Sequence, residues 1–203
     1  MSIKRQNILL TGGGGYLASA LAHELNNNNT IVKYPGDVRE YTRYSDIDTV
    51  IHFASLSDRR EFMDADKTAS TIIEGSINMI RIARENKCKV IYASTLGVLS
   101  HGIDDVYCTC KLAIENYIRS VYNNYVILRI PRVYSKCRQK GLMRGLHENK
   151  IPERDMDEMI EYITLQNFVD QTLPILELTN VTHEYEITQK KSIREIKQWI
   201  KIS

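Results

Sequence analysis

Apolar residues along this chain follow two alternating rhythms. Five short runs, NILLT at 7–11, TIVKY at 30–34, TVIHFA at 49–54, KVIYAS at 89–94 and YVILR at 125–129, are rich in β-branched residues. Their length and continuity predict strands buried on both faces. Between them apolar positions recur three and four apart, the mark of amphipathic helices. Leu17, Leu21 and Leu25 share one face of a helix over 15–25, and Ile72, Ile73, Ile77, Ile80 and Ile82 are expected to point inward from a long helix over 68–85. A third helix is expected over 104–123, a last strand over 184–187 and a closing helix over 192–200, with Ser192 as its N-cap.

Strands that alternate with helices predict an α/β fold built from right-handed β-α-β units, a doubly wound parallel sheet of Rossmann type. Two stretches break the alternation. The asparagine run at 26–29 reads as a turn, and 135–161, charged and carrying Pro152, reads as a small insertion capping the sheet.

At 203 residues the chain has the size of one domain or one domain with an appendage. Its 43% hydrophobic and 26% charged residues exclude disorder and fibrous repeats. Lys and Arg number 27 against 25 Asp and Glu, a net charge of +2 that gives no electrostatic case for a nucleic-acid partner. No apolar run approaches the roughly 18 residues of a membrane span, and MSIKRQ is no signal peptide, so no membrane partner is expected. Cys88, Cys108, Cys110 and Cys137 fit no zinc spacing. No metal site is expected, and a reducing, cytoplasmic compartment is the default.

The first strand runs into Gly12-Gly13-Gly14-Gly15-Tyr16-Leu17-Ala18. Glycine leaves no Cβ between backbone and phosphate, and the following helix offers unpaired N–H groups to an anion. The triad reads either as Gly12, Gly15, Ala18 or as Gly13, Gly15, Ala18. No acid closes the second strand, where a ribose-binding carboxylate is expected. Asp37 follows in Gly36-Asp37-Val38-Arg39 and meets the adenine or ribose, or sits in a turn. Lys33, Arg39 and Arg43 are possible acceptors of a 2′-phosphate, so NAD and NADP both stay open. Tyr107 and Lys111 lie one helical turn apart. An ammonium near a phenol lowers its pKa from about 10 and makes it a proton carrier near neutral pH. Thr95 ends the preceding strand at the edge where ligands of parallel sheets bind. Its hydroxyl bonds a substrate oxygen or caps a turn.

Taken together, these segments resemble the extended short-chain dehydrogenase/reductases, of the NAD-dependent epimerase/dehydratase type that acts on nucleotide sugars. NILLTGGGGYLASAL is similar to the family's first strand, turn and helix, GDVRE to its adenine-side segment and VIHFAS to the strand end beside the cofactor. VIYASTLGVLS is similar to the strand carrying the active-site hydroxyl, YCTCK to the Tyr–Lys pair, and VILRIPRVYS to the strand and loop that pass the nicotinamide; ITLQNFVD and SIREIKQWI follow in order. The resemblance implies a dinucleotide core over 1–134, and a reduced substrate-capping region over 135–203 with a last strand and helix returning to the core. It implies NAD or NADP as cofactor, bound by Gly12, Gly13, Gly15, Tyr16, Leu17, Asp37, Val38, Phe53, Ala54, Ser55, Tyr107, Lys111, Pro131 and Val133. Thr95, Tyr107 and Lys111 take the catalytic roles, and Thr95, Arg132, Arg138 and Arg144 the substrate contacts. Lys136 and Lys140 extend this basic cluster, which clamps a substrate diphosphate or is simply solvated. The two long helices resemble those of the family's dimer interface, so a homodimer is expected.

The chain also departs from the family. The loop between Thr95 and Tyr107 is short, Ile72 and Arg132 stand where Asn is common, and Leu96-Gly97 replaces the acidic pair of dehydratases. A nucleotide-sugar epimerase is therefore expected first, with an NADPH-dependent keto-sugar reductase or a non-catalytic dinucleotide sensor as alternatives. His52, on an apolar strand, is read as structural, and Cys108 and Cys110 as small buried residues.

Overall fold

The computed structural model describes residues 5–56, 61–100 and 105–201. In chain order the elements are β1 (Asn7–Thr11), α1 (Tyr16–Leu25), β2 (Thr30–Lys33), β3 (Thr49–His52), α2 (Ala65–Glu85), β4 (Lys89–Thr95), α3 (Val106–Val121) and β5 (Tyr125–Ile130). There follow β6 (Val133–Tyr134), α4 (Gly141–His147), β7 (Met159–Thr164), α5 (Leu165–Ile175), β8 (Val181–Glu184), β9 (Gln189–Ser192) and α6 (Ile193–Lys201). Six parallel strands form one sheet in the order β2-β1-β3-β4-β5-β8.

Side chains alternate across each strand and so feed two cores. Ile8, Leu10, Ile51, Ile91, Val126 and Leu128 face α1 and α5 on one side. Leu9, Val50, Val90, Tyr92 and Ile127 face α2 and α3 on the other. This is the doubly wound sheet that the alternation predicts. The strand order reverses between β1 and β3, which opens a crevice at their carboxyl ends.

Several boundaries differ from expectation. α2 begins at Ala65 because Asp64 accepts a hydrogen bond from the Lys67 N–H and caps it ahead of the apolar period. Ile77 lies on the outer face of α2 and is exposed, whereas Ile72, Ile80 and Ile82 are buried. The expected helix start at 104 lies outside the described residues; Asp105 caps α3 through the Tyr107 N–H.

The expected strand over 184–187 is displaced to β8. Tyr185 still reaches the core, but as part of a loop, since burial of an apolar ring does not require strand geometry. The charged stretch 135–161 carries regular structure. It supplies α4 and starts β7, which joins a second sheet in the order β6-β7-β9. Tyr134, Met143, Leu146, Met156, Ile160, Tyr162, Ile193 and Ile196 make a separate small core there. α6 thus packs on this small sheet and does not return to the main one. Its first turn is a capping box: the Glu195 carboxylate accepts from the Ser192 N–H, and the Ser192 hydroxyl accepts from the Glu195 N–H.

Candidate active site

The glycine turn lies at the reversal point. Gly12 has φ +68°, and a Cβ there would meet the Ala54 nitrogen at 2.8 Å and the Phe53 carbonyl carbon at 2.9 Å. The chain therefore needs glycine at this position twice over, once for φ and once for the approach of β1 to the end of β3. A Cβ at Gly13 would meet no backbone, only the flexible stem of Lys33 and, at 3.5 Å, the Leu10 side chain. Of the two registers the structure selects Gly12, Gly15 and Ala18, with Ala18 buried against the sheet.

Gly15 is the N-cap of α1 and carries no side chain that could satisfy the first-turn N–H groups. Those of Tyr16 and Leu17 are among the four that a helix leaves open at its start. A crevice of about 400 Å³ opens on the glycine turn that leads into this helix, lined by Gly12–Gly14, Tyr34, Gly36, Asp37, Val38, Ala54, Ser55, Leu56 and Thr71. A glycine cradle, an uncapped helix start and an apolar wall fit the diphosphate and adenosine of a dinucleotide.

Each lining segment has a local cause. The Ala54 N–H donates to the Thr11 hydroxyl at 3.1 Å, and Thr11 in turn meets His52 Nδ1 at 2.7 Å. His52 Nε2 lies 3.1 Å from the Ser76 hydroxyl, and burial pushes the imidazole pKa down to about 3. His52 is therefore a neutral core residue. Asn78, which sequence reasoning passed over, donates to the carbonyls of Val38 and Arg39 and ties the adenine-side turn to α2. The Val38 side chain packs onto Gly75 of that helix, which leaves its backbone to face the crevice.

Tyr107 and Lys111 stand at the start of α3, and Ser55 of the crevice wall approaches the Tyr107 side chain. Lys111 is buried, donates to the Ala93 carbonyl at 2.7 Å, and has its ammonium 5.6 Å from the Tyr107 ring centre. Burial lowers its pKa to about 7, against the pull of Glu115. The expected lowering of the phenol's pKa is not found. Phe62 stacks on the Tyr107 ring at 4.3 Å, and desolvation pushes the hydroxyl up to about 12. The Lys111 ammonium is bonded to the Ala93 carbonyl and does not offset that penalty. Ser55 approaches the phenol closely enough to moderate the shift but makes no well-formed hydrogen bond, and its hydroxyl stays buried and unpartnered.

Thr95 accepts from the Gly97 N–H at 3.2 Å and caps a short turn. Its own hydroxyl proton is left to donate. Phe62 gave no signal beyond one aromatic in a charged stretch. Glu115 did give one, since Tyr107, Lys111 and Glu115 recur every four residues on one helix face. It is buried, accepts from Ser94 at 2.6 Å and from Arg129 at 2.7 Å, and is bonded by Arg119 at 2.9 Å.

The basic cluster is dispersed. Arg138 donates to the Val133 carbonyl at 2.6 Å and lies 5.1 Å from the Tyr16 ring centre, at the start of α1. Lys136 sits 5.7 Å from the Trp199 ring centre, Lys140 lies 4.0 Å from Glu61, and Arg144 is on α4. Arg132 is exposed between β5 and β6, beside Pro131 and the buried Val133. Cys108 and Cys110 are buried free thiols, both with pKa raised by desolvation.

The family model described as NAD dependent epimerase/dehydratase matches residues 8–186. The chain belongs to that family. Among curated proteins none matches. Solved structures with the same fold include a dTDP-4-dehydrorhamnose reductase from Bacillus anthracis str. Ames in complex with NADP, 17% identical, with TM-score 0.80, covering 98% of this chain and 81% of that one. An ADP-L-glycero-D-manno-heptose-6-epimerase from Helicobacter pylori is 19% identical with TM-score 0.80, covering 100% and 83%. A UDP-glucose 4-epimerase from Thermotoga maritima, with UDP-glucose, is 17% identical with TM-score 0.77, covering 97% and 82%. In this epimerase/dehydratase chain no helix among the described residues is long and apolar enough to cross a membrane.

Proposed function

We propose that the chain interconverts an alcohol and a ketone on a nucleotide sugar, using NAD(P) bound in the glycine-lined crevice. The observation that carries this reading is Ser55, which lines that crevice and also faces the Tyr107 hydroxyl. One residue thus joins the cofactor trough to the proton-carrying group. The nicotinamide cofactor supplies the hydride. Gly12, Gly13 and Gly15, with the first N–H groups of α1, hold the diphosphate. Asp37, Val38, Phe53 and Ala54 border the adenosine side, and Pro131 and Val133 the nicotinamide side. Lys111 orients the nicotinamide ribose, Tyr107 holds the travelling proton on its phenol oxygen, and Thr95 donates to the sugar oxygen where charge develops. Arg132, Arg138 and Arg144 are assigned to the substrate as candidate contacts. A homodimer through the paired α2 and α3 belongs to the same proposal.

Two modes share this site. An epimerase is the reading favoured by the residues around Thr95. The phenol of Tyr107, neutral at pH 7, favours a keto-sugar reductase as the second, because a protonated group is ready to donate to a carbonyl oxygen. Incubation with UDP-, ADP- and dTDP-linked sugars and their 4-keto forms tests both. Conversion with no net change in cofactor absorbance identifies an epimerase, stoichiometric loss of reduced cofactor identifies a reductase, and binding without turnover of any sugar refutes the proposal.

A further inference from the structure

The crevice carries an unusual charge arrangement at its adenosine end. β2 ends without an acid: Lys33 closes it and Tyr34 follows, its hydroxyl donating to the Glu40 carbonyl. The carboxylate that does line the crevice, Asp37, is already committed. Its Oδ1 accepts from the Arg39 N–H at 2.9 Å and from Arg39 Nε at 3.0 Å. Its Oδ2 accepts from Nε at 3.0 Å and from Nη2 at 2.5 Å. Four contacts fill the lone-pair positions of a carboxylate. The adjoining guanidinium cancels its charge and holds its pKa down near 2.

Asp37 therefore cannot accept from ribose hydroxyls without breaking the Arg39 pair, and presents little net negative charge to an incoming anion. Lys33 closes β2 beside the glycine turn, its Cγ and Cδ at 3.3 and 3.4 Å from the point where a Gly13 Cβ would stand. The stem thus lies along the glycine turn. Arg43 is directed elsewhere, toward Tyr41 and Glu85 at the far end of α2.

Building on the dinucleotide reading above, we infer that this chain selects NADP over NAD, with Lys33 as the residue that meets the 2′-phosphate and the Asp37–Arg39 pair as the device that removes the competing acid. An ammonium beside a phosphate dianion makes a charge-assisted bond, whereas NAD offers it only a hydroxyl. Selection follows from both features. One attracts the extra phosphate, and the other neither repels it nor rewards its absence.

Fluorescence titration of the intact chain with NADPH and NADH tests this, together with calorimetry using 2′,5′-ADP and 5′-AMP. NADPH and 2′,5′-ADP are expected to bind about tenfold tighter than their unphosphorylated counterparts. Lys33→Ala, at an exposed position, is expected to shrink that ratio to within about threefold while leaving NADH affinity unchanged. Arg39→Ala frees Asp37 and is expected to weaken NADPH and tighten NADH. Equal or tighter binding of NADH by the wild-type chain overturns the inference, as does a Lys33→Ala variant that weakens both cofactors alike. Either result leaves the dinucleotide site itself standing. Failure of all four ligands to bind removes that site, and the inference with it.

Discussion

Lys111, proposed to orient the nicotinamide ribose, carries a measurable cost in stability. Its ammonium is buried and bonded to the Ala93 carbonyl, and burial lowers its pKa from 10.5 to about 7. In the unfolded chain the same lysine stays protonated to about pH 10. Between these values the unfolded state binds more protons than the folded state, so stability rises with pH. The penalty is complete below pH 7, is relieved as pH climbs through the folded pKa, and has vanished near the unfolded one. One proton is worth about 1.4 kcal/mol per pH unit, so the gain from pH 7 to pH 9 is about 2 kcal/mol.

Lys111→Met keeps the stem and removes the titration. The variant is expected to be more stable than wild type at pH 6.5 by about 1–3 kcal/mol, after allowance for the lost bond to Ala93. It should also lose catalysis. Urea denaturation of both proteins from pH 6.5 to 9 provides the assay, because subtracting the two curves cancels the tyrosines and cysteines that also titrate. Parallel curves, or a variant less stable at pH 6.5, would refute the reasoning that burial is what perturbs this amine.

Tyr107→Phe retains the Phe62 stack and removes the proposed proton carrier. Turnover should fall about 10²- to 10⁴-fold with cofactor affinity unchanged in the fluorescence titration. Gly12→Ala puts a methyl onto the backbone of Phe53 and Ala54 at positive φ; a loss of about 2–4 kcal/mol by thermal denaturation is expected, with NAD(P)H binding lost as well. Glu115→Ala leaves Arg129 short of its buried partner and should cost about 3 kcal/mol in urea denaturation, more than Glu161→Ala, whose ion pair with Lys190 is exposed. Light scattering should return twice the chain mass, and Ile77→Lys on the outer face of α2 should return it once.

The main sheet could be read from the residues because its signals are local. A buried parallel strand is a short apolar run, its helix has a 3.6-residue period, and glycine at a positive-φ turn is written in the chain itself. All five expected strands up to 129 appear within about two residues of their anticipated limits. The second sheet was invisible for the opposite reason. β6 is two residues long and β9 reads QKKS, so neither carries an apolar pattern, and each becomes a strand only where β7 supplies its hydrogen bonds.

The candidate site divides along the same line. The residue types, Thr95, Tyr107, Lys111 and the glycine turn, and their order were present in the sequence. Their electrostatic states were not, because a pKa depends on what surrounds a group rather than on what neighbours it in the chain. Helical spacing suggested that Lys111 would ease the ionisation of Tyr107. Folding instead sets Phe62, forty-five positions upstream, against the phenol and turns the ammonium to a strand carbonyl. Likewise Asp37 and Arg39 read as separate groups in the sequence, and the folded turn joins them into one ion pair. Local sequence determined which groups are present and which elements carry them. Tertiary packing decided their charge, because desolvation and partner distance are properties of three-dimensional neighbours alone.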